Sequence, residues 1–324
     1  MKQLLLPGTS LDVSRIALGT VPLGTALDDA ASFRMIDTYV ERGGNLLDTA
    51  AVYANWINPE PSASEKAIGR WLKRRGGARG IVISTKGGHP PLGAMQQSRL
   101  SEADISADVH DSLRHLGVDA IDLYWLHRDD ANRPAGEIVE TMNNQVKAGH
   151  IRYFGCSNWR PERIAEAQAY AREHGLQPFG GSQILWNLAA INPGSIGDKT
   201  LVTMDEAAYG YYLEAGMAVF AYTSQAQGVF SKLAAGGPDS LKEGVRRVYC
   251  NDTTLARLER AQRLAARHNV PVSAIVLGSL TNRPFPTVPI IGPASVEQLE
   301  QSLEGADIVL TPEELRSLTE PAVV

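Results

Sequence analysis

The chain has 324 residues, of which 44% are hydrophobic and 21% charged, and its formal net charge is -5. That balance excludes a disordered chain, supplies a large core, and leaves no basic face for nucleic acid or an acidic membrane surface. Cys156 and Cys250 lie far apart and outside metal-ligand spacing, and the apolar start Leu4-Leu5-Leu6 is too short for a signal peptide. Neither a disulfide framework nor a metal site is expected, and the chain reads as cytoplasmic, with no membrane partner.

The first residues, with Pro7-Gly8-Thr9-Ser10 between apolar runs, read as a small hairpin. Beyond it one unit recurs: a short apolar run, a polar or glycine-marked loop, then a segment of helical period. The eight runs are 15–18, 45–47, 80–84, 120–126, 151–155, 181–185, 218–221 and 287–291. Between them, Ser62-x-x-Glu65 reads as a capping box for a helix holding Ile68 and Trp71. Residues 101–116 set Ile105, Val109, Leu113 and Leu116 on one face and stop at Gly117. A helix over 160–174 carries Pro161 in its first turn, and further helices are predicted through Leu255, Leu258 and Ala261 to Asn269 and over 271–281. The glycine-rich, basic stretch 236–251 reads as a loop, and Ser295-Val296-Glu297-Gln298 as a second capping box.

Strands separated by helices pair in parallel, because parallel neighbours need a long crossover, and eight such units close into a (β/α)8 TIM barrel. The chain is therefore expected to form a single domain over 1–324, its hairpin covering the barrel's bottom. An open doubly wound sheet competes, but it would favour G-x-G-x-x-G after a strand, and none is present.

In such a barrel the chemistry gathers where strands end. Those positions hold Gly19-Thr20, Asp48, Lys86, His127, Ser157-Asn158, Gln183, Tyr222 and Gly292. Asp48, Tyr53, Lys86 and His127 can converge in one mouth. A phenol gives up its proton poorly at neutral pH, a nearby ammonium stabilises the phenolate, and the ammonium in turn needs a carboxylate to stay buried. His127 can then orient a carbonyl oxygen. This is a device for protonating an oxygen, or deprotonating an alcohol, without a metal.

Five stretches carry a resemblance: Asn45 to Tyr53 (NLLDTAAVY), Ser84-Thr85-Lys86, Asp122 to His127 (DLYWLH), Gly155 to Trp159 (GCSNW) and Pro289-Ile290-Ile291-Gly292. Over nearly its whole length the chain resembles an aldo-keto reductase. The resemblance implies Asp48, Tyr53, Lys86 and His127 as a catalytic tetrad beside a nicotinamide cofactor, with Ser157, Asn158 and Gln183 on the carboxamide and Tyr222 stacked on the ring. Gly19, Thr20 and Asp48 would border that cofactor, Thr223, Ser224, Gln225 and Gly228 would follow its pyrophosphate, and Gly292, Ser295, Gln298 and Ser302 would receive the adenosine end. NADP(H) is the family default. The segment 292–302 nevertheless lacks Lys and Arg and carries Glu297, which leaves NAD(H) open.

Near the phenol, Trp56 with Asn55 and Asn58, and Arg128 after His127, read as substrate-binding groups for a polar sugar or polyol. The function expected is hydride transfer to or from a small-molecule carbonyl or alcohol. Two alternatives stand beside it: a Schiff-base lyase using Lys86, and a cofactor-binding sensor or partner protein with little turnover.

Overall fold

The computed structural model describes residues 1–57 and 60–319; Asn58 lies outside the described residues. Strands β1 (Gln3–Leu5) and β2 (Asp12–Ser14) pair antiparallel. Eight more follow: β3 (Ala17–Gly19), β4 (Leu46–Asp48), β5 (Val82–Gly87), β6 (Ile121–Leu126), β7 (Ile151–Ser157), β8 (Ser182–Leu185), β9 (Val219–Tyr222) and β10 (Thr287–Ile291). They close in chain order into a barrel whose pairs are all parallel, β10 returning to β3. This is the (β/α)8 TIM barrel expected, with its N-terminal hairpin.

Helices α1 (Asp29–Glu41), α2 (Ala63–Arg75), α3 (Glu102–Leu116), α4 (Ala135–Lys147), α5 (Pro161–Glu173) and α6 (Glu206–Ala215) follow the early strands. The later ones are α7 (Val229–Gly236), α8 (Glu243–Tyr249), α9 (Asp252–His268), α10 (Val272–Thr281), α11 (Val296–Leu303) and α12 (Pro312–Thr319). Helix α3 shows how its sequence sets both ends. Ser101 accepts a hydrogen bond from Asp104 N, and Gly117 takes the left-handed φ of 66° that lets the chain leave.

Two cores result. Inside the barrel, Ala17, Leu46, Leu123, Trp125, Ala218, Phe220 and Val288 pack with Leu6, Leu11 and Val13 of the hairpin region. Because Ala17, Leu46 and Val288 stand at or near the starts of their strands, the hairpin closes the bottom and leaves the strand ends open as the mouth. Outside, residues such as Ile36, Ile68, Ile105, Ile138 and Ile164 press the helices on the wall.

Several boundaries differ from the sequence reading for physical reasons. β5 runs on through Thr85, Lys86 and Gly87, and β7 through Cys156 and Ser157, because these residues keep ladder partners: Lys86 opposite Trp125 and Ser157 opposite Gln183. The capping box at Ser62 does not form. Ser62 has φ 59° and gives its hydroxyl to Ala51 O, while Glu65 is fully buried and accepts from Thr85 Oγ1. The stretch 236–251 is not a plain loop either, for it contains α8, whose Val245 and Tyr249 are buried four residues apart. Its glycines masked that short helical face. Of the second capping box one half forms: Ser295 accepts from Gln298 N, while Gln298 Oε1 accepts from Ala294 N, one residue before the cap.

Candidate active site

At the mouth, β4 and β5 lie side by side with Asp48 opposite Ser84, which brings Asp48 and Lys86 within reach. Lys86 Nζ donates to Asp48 Oδ2 at 2.6 Å, to Thr49 O at 2.7 Å and to Tyr53 Oη at 2.9 Å. All three ammonium protons are thereby used. The turn 51–57 carries Tyr53 over the end of β5, with Ala51 N bonded to Lys86 O. Asp48 Oδ1 accepts from Ser84 Oγ at 2.9 Å and Gln183 Nε2 at 3.1 Å, and Ser84 Oγ accepts from Trp125 Nε1 at 2.7 Å. Asp48 and Lys86 are each only 1% exposed, so this is a buried ion pair with its remaining valences filled.

The electrostatics set the resting state of the phenol. Burial, the largest influence, lifts the Tyr53 phenol above its ordinary range, and Lys86 only partly opposes it. The resting phenol is therefore an acid holding its proton. Burial tends to lower Lys86, but Asp48 and Tyr53 outweigh it and raise the ammonium, which stays charged. His127 follows β6, 6.1 Å from Tyr53 between ring centroids. Burial, then the positive charge of Lys86, holds His127 well below its ordinary value, so it is neutral.

The substrate side is mixed. Trp56 is 52% exposed on its turn, beside Ile57, and Leu92 on the neighbouring loop is also open. Arg128 is buried and tied down: Nε donates to Thr200 Oγ1, Nη2 to Asp198 and Nη1 to His127 O. It acts as a strut between the end of β6 and the segment 198–200.

On the opposite arc, many of the expected cofactor residues are engaged with the protein. Asn158, at φ 61°, accepts with Oδ1 from Tyr222 Oη at 2.6 Å and from Val202 N at 3.1 Å, and its Nδ2 donates to Ser157 Oγ. Thr20 bonds Asp48 O, and Ser224 bonds Ile290 O. Gly19 is a glycine because a Cβ there would stand 2.9 Å from Ile291 O on β10. Gln225 and Ser302 bond each other, joining the loop after β9 to α11. That loop is strained, with positive φ at Thr223, Ala226, Gln227 and Gly228. Gly292 is exposed after β10, and Ser295 caps α11. The first-turn N–H groups of α7 and α11 open near these loops. In the first turn of α11, Glu297 is held below its ordinary value by Ser295 and stays charged.

Ser84 and Trp125 lay in the matching stretches but were given no role there, although Trp125 Nε1 had to find a partner once buried. His89 carries no motif, yet its ring lies 4.7 Å from that of His127.

Residues 15–322 match the family model described as "Aldo/keto reductase family". The aryl-alcohol dehydrogenase (NADP(+)) of Phanerodontia chrysosporium is 28% identical, the match covering 98% of this chain and 84% of that protein. Norsolorinic acid reductase of Aspergillus flavus is 28% identical over 94% of this chain and 77% of its own. An uncharacterized oxidoreductase of Bacillus subtilis is 27% identical, with 96% and 93% covered.

Proposed function

Since the chain belongs to the aldo/keto reductase family, we propose that it works as one domain that moves a hydride between a nicotinamide cofactor and a carbonyl or alcohol carbon, with Tyr53 handling the proton. One observation carries this reading: a buried ammonium, Lys86, bridges the carboxylate of Asp48 and the phenol oxygen of Tyr53 at 2.6 and 2.9 Å. When bound, the cofactor supplies or accepts the hydride. The chain does the rest. In reduction, Tyr53 Oη gives its proton to the carbonyl oxygen, and Lys86 stabilises the phenolate left behind. Asp48 keeps Lys86 charged. His127, neutral, offers a hydrogen bond that orients the oxygen. In oxidation the same phenolate takes the alcohol proton.

The cofactor fits the opposite arc more through backbone and ring faces than through charge. Tyr222 offers a partly open ring, Ser157 at the end of β7 and Gln183 opposite it in β8 offer polar atoms, and the strained turn 223–228 with α7 offers N–H groups for a pyrophosphate. Asn158, already bonded through both amide atoms, supports this surface chiefly by holding Tyr222 and Ser157. Glu297 opposes a 2'-phosphate, whereas one relative's name records NADP(+). NADPH and NADH are therefore both carried into the test.

The substrate we favour is an aromatic aldehyde, ketone or alcohol. Trp56 and Ile57 on the turn that carries Tyr53, and Leu92 on the loop after β5, present open apolar surface, and two relatives are an aryl-alcohol dehydrogenase and norsolorinic acid reductase. The sugar or polyol reading relied on Arg128 for hydroxyls, and that guanidinium is engaged by Thr200 and Asp198. The lyase reading is weakened because Lys86 is held protonated with all three N–H groups in use, whereas Schiff-base formation needs a free amine. An intact proton-handling group favours turnover over a sensor role.

The test is Tyr53→Phe. Cofactor affinity, read by fluorescence titration with NADPH and NADH in parallel, should stay within about twofold of wild type, while turnover of aromatic aldehydes falls by about 10²- to 10⁴-fold. Retained turnover sinks the mechanism, and binding of neither cofactor by the wild type sinks the reductase reading.

A further inference from the structure

Most polar side chains at the mouth are already spent. Lys86 donates three times, Asn158 Oδ1 accepts twice, Tyr222 donates to Asn158, and Arg128 is held by Thr200, Asp198 and His127 O. His89 differs. It sits on the loop after β5, half-buried, with its ring edge to face on His127 at 4.7 Å and 71°.

Its Nδ1 lies 2.6 Å from Pro90 O. A carbonyl oxygen can only accept, so Nδ1 carries the proton, and a neutral ring must present Nε2 as a bare acceptor. Burial first, then Arg128, keeps His89 below its ordinary value, which holds the ring neutral near pH 7. Among the described residues no hydrogen bond engages Nε2. His89 also lines a cavity of about 430 Å³ whose wall is mixed, with Ala51, Val52 and Leu92 beside Asn55, Arg99 and Asp108. The imidazole therefore both touches the proposed carbonyl-orienting ring and lines a cavity with polar and apolar walls.

We propose that His89 is a specificity-determining residue, its Nε2 accepting a hydrogen bond from a hydroxyl on the carbon beside the reacting one, so that the enzyme prefers α-hydroxy carbonyl substrates. Two touching rings suit two neighbouring oxygens: His127 donates to the carbonyl oxygen and His89 accepts from the hydroxyl. The inference rests on the hydride-transfer reading and adds to it the substituent that the site selects.

The experiment compares reduction of acetophenone and its α-hydroxy derivative by wild type, His89→Phe and His89→Gln. Taking the ratio between the two ketones within each enzyme cancels their different intrinsic reactivities. His89→Phe keeps a flat ring but removes the acceptor. It should lower the ratio of kcat/KM for the hydroxyketone to that for acetophenone about tenfold, mainly through KM for the hydroxyketone. His89→Gln returns an acceptor and should recover most of the preference. If His89→Phe fails to fold, as read by circular dichroism and cofactor titration, His89→Met makes the same comparison. Equal losses on both ketones, or a preference that survives removal of the acceptor, overturns the inference alone. A wild type that binds cofactor but reduces neither ketone counts against the underlying reading and takes the inference with it.

Discussion

The two halves of the mouth are built on different principles. On the arc from β4 to β6, Asp48, Tyr53, Lys86 and His127 all have ordinary backbone conformations, left-handed φ falling beside them at Ala54 and Ser62, and two of the four lie within strands. Their order comes from a closed circuit of charge and hydrogen bonds: Trp125 to Ser84 to Asp48, and Lys86 to Asp48 and Tyr53. On the arc from β7 to β10, Asn158, Thr223, Ala226 and Gln227 sit at left-handed φ, and the side chains mostly brace the backbone. Proton chemistry demands a fixed pKa and therefore fixed neighbours. The proposed role of the second arc, holding an extended ligand, demands a fixed backbone shape, which its strained turns supply.

The comparison breaks most sharply at Asp48. Asp48→Ala leaves the Lys86 ammonium buried without its carboxylate, and the unfolding free energy should fall by about 3–5 kcal/mol, as measured by urea denaturation. Turnover should vanish as well, because a deprotonated or displaced Lys86 no longer supports the phenolate. A loss under about 1 kcal/mol would mean that the circuit does not order this arc.

Acid should strain the same arc next. In the folded chain His127 is held well below its ordinary 6.5, chiefly by burial and then by Lys86, His89 and Arg128. Its stabilising contribution is complete above the unfolded value and is lost as pH falls, because below about 6.5 the unfolded chain binds the proton that the folded one refuses. The slope approaches about 1.4 kcal/mol per pH unit for one such group. Stability should thus decline from pH 6.5 toward 5, and His127→Gln should flatten that decline in urea melts at each pH. Activity runs the other way at high pH. With the phenol raised above its ordinary 10.0, reduction should hold steady through neutrality, while oxidation, which uses the phenolate, should quicken as pH rises.

Much of this was legible in the sequence because period and punctuation are local. Apolar runs alternating with helical faces gave the barrel, and Gly117 and Asn269 marked helix ends that the structure keeps. Residues at strand ends gave the convergence of Asp48, Lys86 and His127. What escaped was non-local. Ser62 and Glu65 match a capping box in spacing, but Glu65 is drawn inward by Thr85 and His115, twenty and fifty residues away. Arg128 looked available until Asp198 and Thr200 came round to hold it. The sign of the Tyr53 shift depends on the depth of burial, which no spacing reveals.

The smallest expected effect tests the strained arc. Thr223 is β-branched at φ 53°, where an L side chain costs roughly 1–2 kcal/mol and glycine does not. Its carbonyl accepts from Ala226 N and Asn187 Nδ2, both backbone-directed contacts that glycine keeps. Thr223→Gly relieves the strain but frees the unfolded chain, offsetting roughly 0.5–1 kcal/mol of the gain. The net should be a stabilisation of roughly 0.5 kcal/mol, together with weaker cofactor binding, because the loop loses the rigidity that fixes its N–H groups. Unchanged affinity with raised stability would mean that the turn's shape is set by Ala226 and Gln227 instead. Lower stability would mean that the Thr223 side chain repays its own strain through packing, and the two arcs would then differ less than their backbones suggest.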